Sequence, residues 1–333
     1  MVISTSPHSV IEQALNLFFL QHGGHEVFKH APVLALSGGL DSTVLLHALV
    51  LRGLEFTAVH VNHQLQQEAA QWPAHCQALC AAHGVPFHAL TVQVNDNGLG
   101  LEAHARQARY RALFEWMLHA GSHAVLCAHH LDDQLETVLI QMLRGSGLRG
   151  LGGMRAFGPV GVDRHVYPNF RLCRPLLNCS KRDLHAYAKH HALHYINDPS
   201  NTDTTLRRNW IRLELLPQLR THFPQADGGL LRLAEHFQTY HSEIDSTLNA
   251  LLPRVCDATH ALNLSDWREL PEHQRLEALK AWLAQQGIRP GQCKLLELQR
   301  QLLHANQGGV RQVAKGWRVK VQQGKATAEV LSS

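Results

Sequence analysis

The stretch VLALSGGLDSTVLL, residues 33–46, decides how the first half of this chain folds. Its apolar residues Val33–Leu36 are typical of a short buried strand, and the run from Asp41 onward is typical of a helix. Between them lies a polar turn with two glycines, which allow a ligand to approach the backbone closely. A strand, a glycine-rich turn and a helix N-terminus together present unpaired backbone N–H groups to an anion. Because no Gly-Lys-Ser/Thr follows, the pattern is not a Walker A loop. It predicts another kind of phosphate-binding loop, made of Ser37, Gly38, Gly39, Leu40, Asp41 and Ser42.

Composition limits the class of protein. A chain of 333 residues predicts about two domains. Hydrophobic residues make up 45% and charged residues 17%, as in ordinary globular proteins. No apolar run reaches the ~18 residues of a membrane span, and we find no secretion signal at the N-terminus. The seven cysteines have irregular spacing, which favours reduced thiols, and Cys76 and Cys80 suit a helix core better than a metal site. We therefore expect a cytoplasmic protein with no membrane attachment.

Strand and helix patterns alternate along the first part of the chain. This alternation predicts an α/β fold with a doubly wound, mostly parallel sheet. In such sheets ligands bind beyond the carboxyl ends of the strands. The predicted helices span 7–22, 41–52, 68–83 and 101–120, and the predicted strands span 33–36, 54–61, 87–94 and 124–128. The first helix should bury Ile11, Leu15, Phe18 and Phe19.

Polar residues follow several of these strands directly. Ser37 comes after the first strand, His60 and Asn62 lie at the end of the second, and His129 follows the fourth. Since parallel strands end at the same edge of a sheet, these side chains should share one site with the phosphate loop.

The segment HHLDDQLET, residues 129–137, supplies a second group of polar residues. If a helix begins near Leu131, Asp133 and Glu136 share a face. Two carboxylates on one face could hold Mg²⁺ through oxygen ligands or grip an ammonium group. Capping of the helix dipole would explain Asp132 and Asp133 in the first turn, but it does not explain Glu136.

Arg109 lies on the helix that precedes this segment, three residues after Arg106. Either arginine could be a solvated helix charge. Alternatively, Arg109 reaches the strand ends and neutralises the charge of a phosphate or carboxylate.

Charge is distributed unevenly along the chain. Residues 1–143 carry a net charge of −6, residues 144–220 carry +8 and residues 221–333 carry +2. A strongly basic middle segment indicates docking of a polyanion beside the predicted site. The segment 144–161 contains seven glycines, and we interpret it as a mobile loop that folds over an anionic ligand. The candidate contacts to the polyanion are Arg144, Arg149, Arg155, Arg207, Arg208, Asn209 and Arg212, with Arg208 and Arg212 four apart on one helix face.

The domain organisation follows from these patterns. We assign residues 1–216 to the α/β domain, 217–228 to a linker and 229–333 to a mainly helical second domain. Helical spacing predicts helices over 272–286 and 293–304. Period-two alternation around Gln323 predicts a closing hairpin.

The ordered motifs resemble the family of tRNA(Ile)-lysidine synthases, which belong to the PP-loop ATP pyrophosphatases. The match covers most of residues 30–220. Its segments are SGGLDS (37–42), VHVNHQL (59–65), ARQARYRAL (105–113), HHLDDQLET (129–137), LRGSGLRGLGGM (143–154), RPLL (174–177), DPSN (198–201) and RRNWIR (207–212).

The resemblance implies a fold of the adenine nucleotide alpha hydrolase type, a reaction and roles for individual residues. The reaction adenylates the wobble cytidine of the CAU-anticodon tRNA(Ile) with ATP and then displaces AMP with free L-lysine. The phosphate loop, with His60 and Asn62, would bind ATP, and Asp41 would help to place Mg²⁺. Lysine binding and catalysis would fall to Asp41, Arg109, His129, Asp133 and Glu136, and the basic candidates above would bind tRNA. The sequence leaves a homodimer open.

Two alternatives remain at this stage. A tRNA 2-thiolation enzyme would share the loop, but it needs reactive cysteines, often as Cys-x-x-Cys, and this chain has no such pair. A non-catalytic nucleotide- or RNA-binding relative would be expected to lose Asp41, Asp133 or Glu136, and all three are present.

Overall fold

Strand β1 (Val33–Ala35) lies near the middle of a six-stranded sheet, with β2 (Thr57–Asn62) and β4 (Ala124–Leu126) as its parallel neighbours. The strand order is β3-β2-β1-β4-β6-β5, and only the pairing of β5 with β6 is antiparallel. The doubly wound, mostly parallel sheet predicted from the sequence is therefore confirmed. The computed structural model describes residues 7–24, 28, 30–62, 71–92, 101–162, 165–288, 290–305, 309–314 and 317–330.

The remaining elements of this part of the chain alternate around the sheet. The strands are β3 (Phe87–Thr91), β5 (Phe157–Val162) and β6 (His165–Cys173). The helices are α1 (Pro7–Gln21), α2 (Leu40–Leu51), α3 (Trp72–Ala82), α4 (Leu101–Ala120), α5 (Leu131–Leu143), α6 (Leu148–Leu151), α7 (Lys181–His190), α8 (Arg207–Trp210) and α9 (Leu216–His222), with a π-helical turn (Ile211–Leu215) joining the last two. The start predicted for the third helix, 68–70, lies outside the described residues.

The core packs on both faces of the sheet. One cluster joins α1, α2 and α7 to the sheet and includes Ile11, Leu15, Phe18 and Phe19, as predicted. Cys76 and Cys80 are buried in the same cluster, which confirms their place in the core. A second cluster packs Leu113, Phe114 and Met117 of α4 against the other face.

The glycine-rich segment 144–161 is partly ordered into regular elements, so its interpretation as a mobile loop is wrong for those residues. It contains α6 and most of β5, which pairs antiparallel with β6. Gln134 also fixes the backbone between them, because its side-chain amide donates to Met154 O at 3.0 Å and its oxygen accepts from Met154 N at 2.7 Å. The number of glycines in this segment therefore did not indicate that one part pairs with β6 or that another part binds the side chain of Gln134.

Contacts divide the chain into two compact units, residues 1–238 and 239–333. The long helix α10 (Ala226–Val255) spans the division, and all of α9 except Leu216 lies in the segment predicted as a linker. The domain boundary at 217–228 therefore remains a prediction, and the change in packing occurs further along the chain.

The second unit combines helices with a small antiparallel sheet of order β7-β10-β9-β8. Trp267 and Trp282 are fully buried in its core, and each indole N–H donates to a backbone carbonyl. The predicted hairpin is confirmed, with Gln323 and Gly324 at positive φ in its two-residue turn. The elements are β7 (Leu262–Asn263), α11 (Leu264–Glu269), α12 (Glu272–Gln285), α13 (Gln292–Leu303), β8 (Gly309–Ala314), β9 (Trp317–Gln322) and β10 (Lys325–Val330). Within the described ranges, no helix of the chain is long and apolar enough to cross a membrane.

Candidate active site

The loop after β1 has the open backbone that the sequence predicts. Helix α2 begins behind Gly39, and no side chain in the described part of the chain caps its first N–H groups. Ser42 braces the loop from inside, because its hydroxyl donates to Gly39 O at 3.1 Å and accepts from Ser37 N at 3.2 Å. The helix N-terminus thus remains available for an anion, and the loop is held in shape without one.

Gly38 is the tightest point of the loop. It has a φ of +81°, which an L side chain rarely adopts, and a Cβ there would lie 2.9 Å from Cys76 Sγ on α3. On the other side, Ile196 N donates to Gly38 O at 2.9 Å. Helix α3 and the segment before the DPSN turn therefore fix the loop from two directions.

Asp41 lies at the start of α2, close to the side chains of Lys181 and His130. Lys181 Nζ lies 2.6 Å from Asp41 Oδ1, and His130 Nε2 lies 3.7 Å from Oδ2. Lys181 is the first residue of α7, whose N-cap Ser180 accepts from Asp183 N. The ion pair with Lys181 was missed from the sequence, since 140 residues separate the partners.

A cleft of about 210 Å³ opens beside the loop. Arg109, His129 and Asp133 line it together with Ser37 and Asp41, so the predicted convergence at the strand ends holds for these five residues. Tyr110 and Cys127, which the sequence did not single out, lie on its wall. His129 Nδ1 accepts from Arg174 Nε at 3.3 Å, which orients the imidazole at the edge of the cleft.

His60 and Asn62 do not line this cleft. His60 is buried, its Nδ1 lies 2.9 Å from Leu36 O, and burial lowers its pKa. The neutral imidazole therefore stabilises the backbone at the end of β1. Asn62 is the last residue of β2 and is partly buried. The ATP-binding roles predicted for both residues remain predictions.

Asp133 is a strongly stabilised anion. Its Oδ2 accepts from His130 N at 3.1 Å, so it caps α5, and it also faces the cleft. Burial opposes its ionisation, but the charges of His130, His129 and Arg208 outweigh burial and lower its pKa to about 2. At neutral pH this carboxylate holds a cation well and accepts a proton poorly.

Glu136 lies outside the cleft, although it shares a helix face with Asp133 as predicted. It is 0% exposed and is clamped by two arginines, with Arg208 Nε 2.7 Å from Oε2 and Arg212 Nε 2.5 Å from Oε1. Arg212 Nη2 also lies 3.4 Å from Asp133 Oδ1. Arg208 and Arg212 lie on one helical face, as the sequence predicts. That face points toward α5, whereas a contact with phosphate would require it to point toward solvent.

Asp132 is a second carboxylate of α5 that is paired with an arginine from another helix. It accepts from Lys181 N at 2.9 Å and pairs with Arg220 Nη2 at 2.7 Å. Burial opposes the ionisation of Asp132, whereas the hydrogen bond from Arg220 and the one from the Lys181 backbone outweigh it and lower the pKa. Asp132 thereby joins α5 to α7 and α9.

The predicted polyanion contacts divide into two groups. In the first group, Asn209, Arg208 and Arg212 are each bonded to other residues of the protein. Asn209 is buried and donates to Ser200 O and Asp203 O, so it holds the adjacent turn. Arg144, Arg155 and Arg207 have exposed side chains. Arg149 is on α6, and its side chain lies outside the described part of the structure.

The donor set suits a magnesium ion that is held mainly by its ligand. The described residues contain no group of three or more His, Cys, Asp or Glu able to hold a metal. Mg²⁺ usually binds through one or two carboxylates together with substrate phosphates. The side chain of Asp41 is 31% exposed beside the open loop and already pairs with the ammonium group of Lys181. It therefore suits a magnesium ion that is bound by one carboxylate and by substrate phosphates.

Four buried cysteines are poor nucleophiles. Burial is the largest cause that raises the thiol pKa of Cys76, Cys173 and Cys179 to about 12 and of Cys80 to about 11. Thiolates are therefore scarce at neutral pH. Cys127 lines the cleft, but no Cys-x-x-Cys pair accompanies it.

Comparisons with known families agree with the two units. A model of the PP-loop domain matches residues 8–219, and a model of the TilS substrate binding domain matches residues 262–327. The U34-tRNA thiolase NcsA from Methanococcus maripaludis, solved with its [4Fe-4S] cluster, is a structural neighbour with a TM-score of 0.54. It is 17% identical and covers 68% of this chain and 77% of its own, so the likeness shows the fold alone.

Among curated proteins, tRNA(Ile)-lysidine synthases are similar over most of the chain. The Pseudomonas aeruginosa protein is 44% identical over an alignment of 267 residues, and the match covers 75% of this chain and 58% of that protein. The Ralstonia nicotianae protein is 39% identical over 304 residues, 89% of this chain and 64% of that protein. The chain thus spans about three-fifths of the length of these relatives.

Substituting Gly38 should separate loop geometry from general glycine strain. Gly38→Ala forces a Cβ toward Cys76 at positive φ, whereas Gly53→Ala has a similar φ of +71° with nothing within 4 Å. Positive φ costs each variant about 1–2 kcal/mol, but only Gly38→Ala should lose ATP binding, by at least about tenfold, in calorimetric titration. Equal ATP affinity of the two variants would contradict the assigned loop.

Removing the buried carboxylate should destabilise the first unit. Glu136→Gln leaves Arg208 and Arg212 with only the more distant Asp133 as a counter-charge, at a cost of about 3 kcal/mol. Glu214→Gln changes an exposed residue of the adjacent helical turn and should leave the urea midpoint unchanged. Unfolding would be followed in urea by circular dichroism. A Glu136→Gln midpoint equal to that of Glu214→Gln would show that the clamp does not hold α5 to the π-helical turn.

Proposed function

Because this chain belongs to the PP-loop domain family, we propose that it ligates free L-lysine to the 2-position of the wobble cytidine of the CAU-anticodon tRNA(Ile). ATP is converted to AMP and diphosphate in the reaction. The product base, lysidine, changes the codon read by the tRNA from AUG to AUA. The likeness to tRNA(Ile)-lysidine synthases over 75–89% of the chain supports this proposal. Free lysine and tRNA as substrates place the enzyme in the cytoplasm.

One observation carries the proposal. A phosphate loop and a permanently anionic carboxylate, Asp133, line the same cleft. The first suits ATP and the second suits the ammonium of an incoming amine. Activation by a nucleotide and attack by an amine can therefore take place in one cavity.

The first step is adenylation. The 2-carbonyl oxygen of the cytosine attacks the α-phosphorus of ATP, a P–O bond forms, and the bond to the β-phosphate breaks to release diphosphate. The N–H groups of the loop around Gly38 and Gly39 hold the phosphates. Mg²⁺, held by Asp41 and the phosphates, would offset the negative charge of the diphosphate. Lys181 lies 2.6 Å from Asp41 and can turn toward the same charge.

The second step transfers lysine. The ε-amine attacks C2 of the activated base, and the C–O bond breaks to release AMP. The anionic carboxylate of Asp133 orients the amine, and Arg109, which lines the same cleft, suits the lysine carboxylate. Since the pKa of Asp133 is lowered to about 2, it is a weak base. The ε-ammonium therefore loses one proton to solvent before it attacks, and the proton lost after attack goes to the phosphate of the departing AMP.

Glu136 acts on this reaction through its neighbours. The lysine-binding role predicted for it would require Arg208 and Arg212 to move away. We propose instead that Glu136 positions these arginines, which hold the charge around Asp133. Recognition of tRNA then rests on the exposed arginines of the basic segment, including Arg144, Arg155 and Arg207.

Sulfur transfer is the alternative chemistry on this fold. It needs thiolates, often in a cluster-binding pair. The buried thiols with raised pKa and the absence of a Cys-x-x-Cys pair in the sequence support lysine transfer over thiolation.

Incorporation of lysine tests the proposal directly. Purified protein with ATP, Mg²⁺, radiolabelled lysine and the CAU-anticodon tRNA(Ile) should yield labelled RNA and equimolar AMP. Asp41→Asn should lower the rate by about a hundredfold or more, because the cation-binding carboxylate is lost. The methionine tRNA with the same anticodon serves as the specificity control. Sulfur incorporation without lysine incorporation would contradict the proposal.

A further inference from the structure

A second cleft, of about 390 Å³, lies on the first unit at the C-terminal end of α5. Its apolar surface comes from Ile140, Leu143 and Ile211. Trp210 of α8 borders it with an indole that is 46% exposed. Arg144 and Arg207 stand at its rim.

We propose that this cleft binds one unpaired nucleobase of the RNA substrate, stacked on Trp210 with its flanking phosphates on Arg144 and Arg207. The inference rests on the proposed function, since it takes RNA as the substrate. It adds a recognition site that is separate from the cleft where the base reacts.

The charges of the rim support a nucleotide over an apolar partner. Neither Arg144 nor Arg207 makes an ion pair within the described residues, whereas Arg208, Arg212 and Arg220 are each paired with carboxylates. Asp203, the acidic residue nearest to Arg207 along the sequence, accepts hydrogen bonds from the backbone N and the hydroxyl of Thr205. Two guanidinium groups beside an apolar cleft therefore retain their charge for a ligand.

The shape of the ligand follows from the same surface. A flat aromatic ring gains from stacking on an indole and from contact with aliphatic walls. The arginines at the rim require negative charge at the edges of that ring. A nucleobase carried on a phosphate backbone has both features, whereas an apolar helix has only the first.

The two clefts are connected by one helix. Asp133 and Arg144 lie eleven residues apart along α5 and its C-cap, which corresponds to about 16 Å at 1.5 Å per residue. The base on Trp210 is therefore not the base that reacts. It is a neighbour in the same single-stranded loop, and its capture would fix which base reaches Asp133.

The test uses the full chain and two RNAs. One is the anticodon stem-loop of the tRNA with 2-aminopurine placed at each unpaired position in turn, and the other is a fully paired duplex of equal length. Trp210→Leu keeps an apolar side chain but removes the stacking surface, while Trp210→Phe keeps an aromatic ring. Phe223→Leu changes an aromatic side chain outside the cleft, 64% exposed, and is the matched control.

We expect Trp210→Leu to bind the stem-loop about tenfold more weakly, as loss of one stacked base predicts, and to bind the duplex normally. Trp210→Phe and Phe223→Leu should bind both RNAs normally. In Trp210→Leu, the quenching of 2-aminopurine that the wild-type protein causes should disappear at one loop position only. Arg144→Gln and Arg207→Gln should each reduce the salt slope of stem-loop binding by about one.

Three results would overturn the inference. They are unchanged stem-loop binding by Trp210→Leu, an equal loss for the duplex, or a wild-type dimer in sedimentation that Trp210→Leu dissociates, which would make a second copy the occupant. If the wild-type protein incorporates lysine while Trp210→Leu binds normally, only this inference fails. If the wild-type protein neither binds the stem-loop nor incorporates lysine, the proposed function fails with it.

Discussion

The carboxylate of Glu136, buried under two arginines, is the interaction on which the candidate site depends. It joins α5, which follows the strand β4, to the helical segment around Arg208 and Arg212. A buried carboxylate in this setting is costly unless it is fully paired, and here both oxygens have guanidinium partners. The pairing fixes the side of α5 on which Asp133 stands, and so it fixes the anionic wall of the cleft.

The same network decides what Asp133 can do. Its neighbours stabilise the charged form, which suits this carboxylate to hold a cation and makes it a weak proton acceptor. Phosphate-loop chemistry requires an anion to be held at one end of the cleft, and amine transfer requires a cation to be held at the other. The sheet provides both, because the residues that follow β1 and β4 meet at one edge.

The fold and the cleft could be predicted from the sequence to a large extent, and the reasons are local. Alternating strands and helices indicated the parallel sheet, and Ser37, Asp41, His129 and Asp133 were placed together because each follows a strand end, with Arg109 as an open alternative. These inferences needed only periodicity and the geometry of parallel strands.

The missed features depend on contacts between distant segments. The spacing of Arg208 and Arg212 indicates one face of a helix, but it cannot show whether that face meets RNA or a buried Glu136. The pair of Asp41 with Lys181 joins residues 140 positions apart. In the segment 144–161, the glycines masked a strand whose partner, β6, and whose anchor, Gln134, both lie outside the segment.

In the proposed reaction, ATP activates the RNA base and lysine acts only as the incoming amine. The most direct measurement is the location of the label from α-³²P-ATP when lysine is left out of the reaction. We expect the label to become attached to the tRNA and to be released as AMP when lysine is added. Formation of labelled lysyl-adenylate in the absence of tRNA would contradict it.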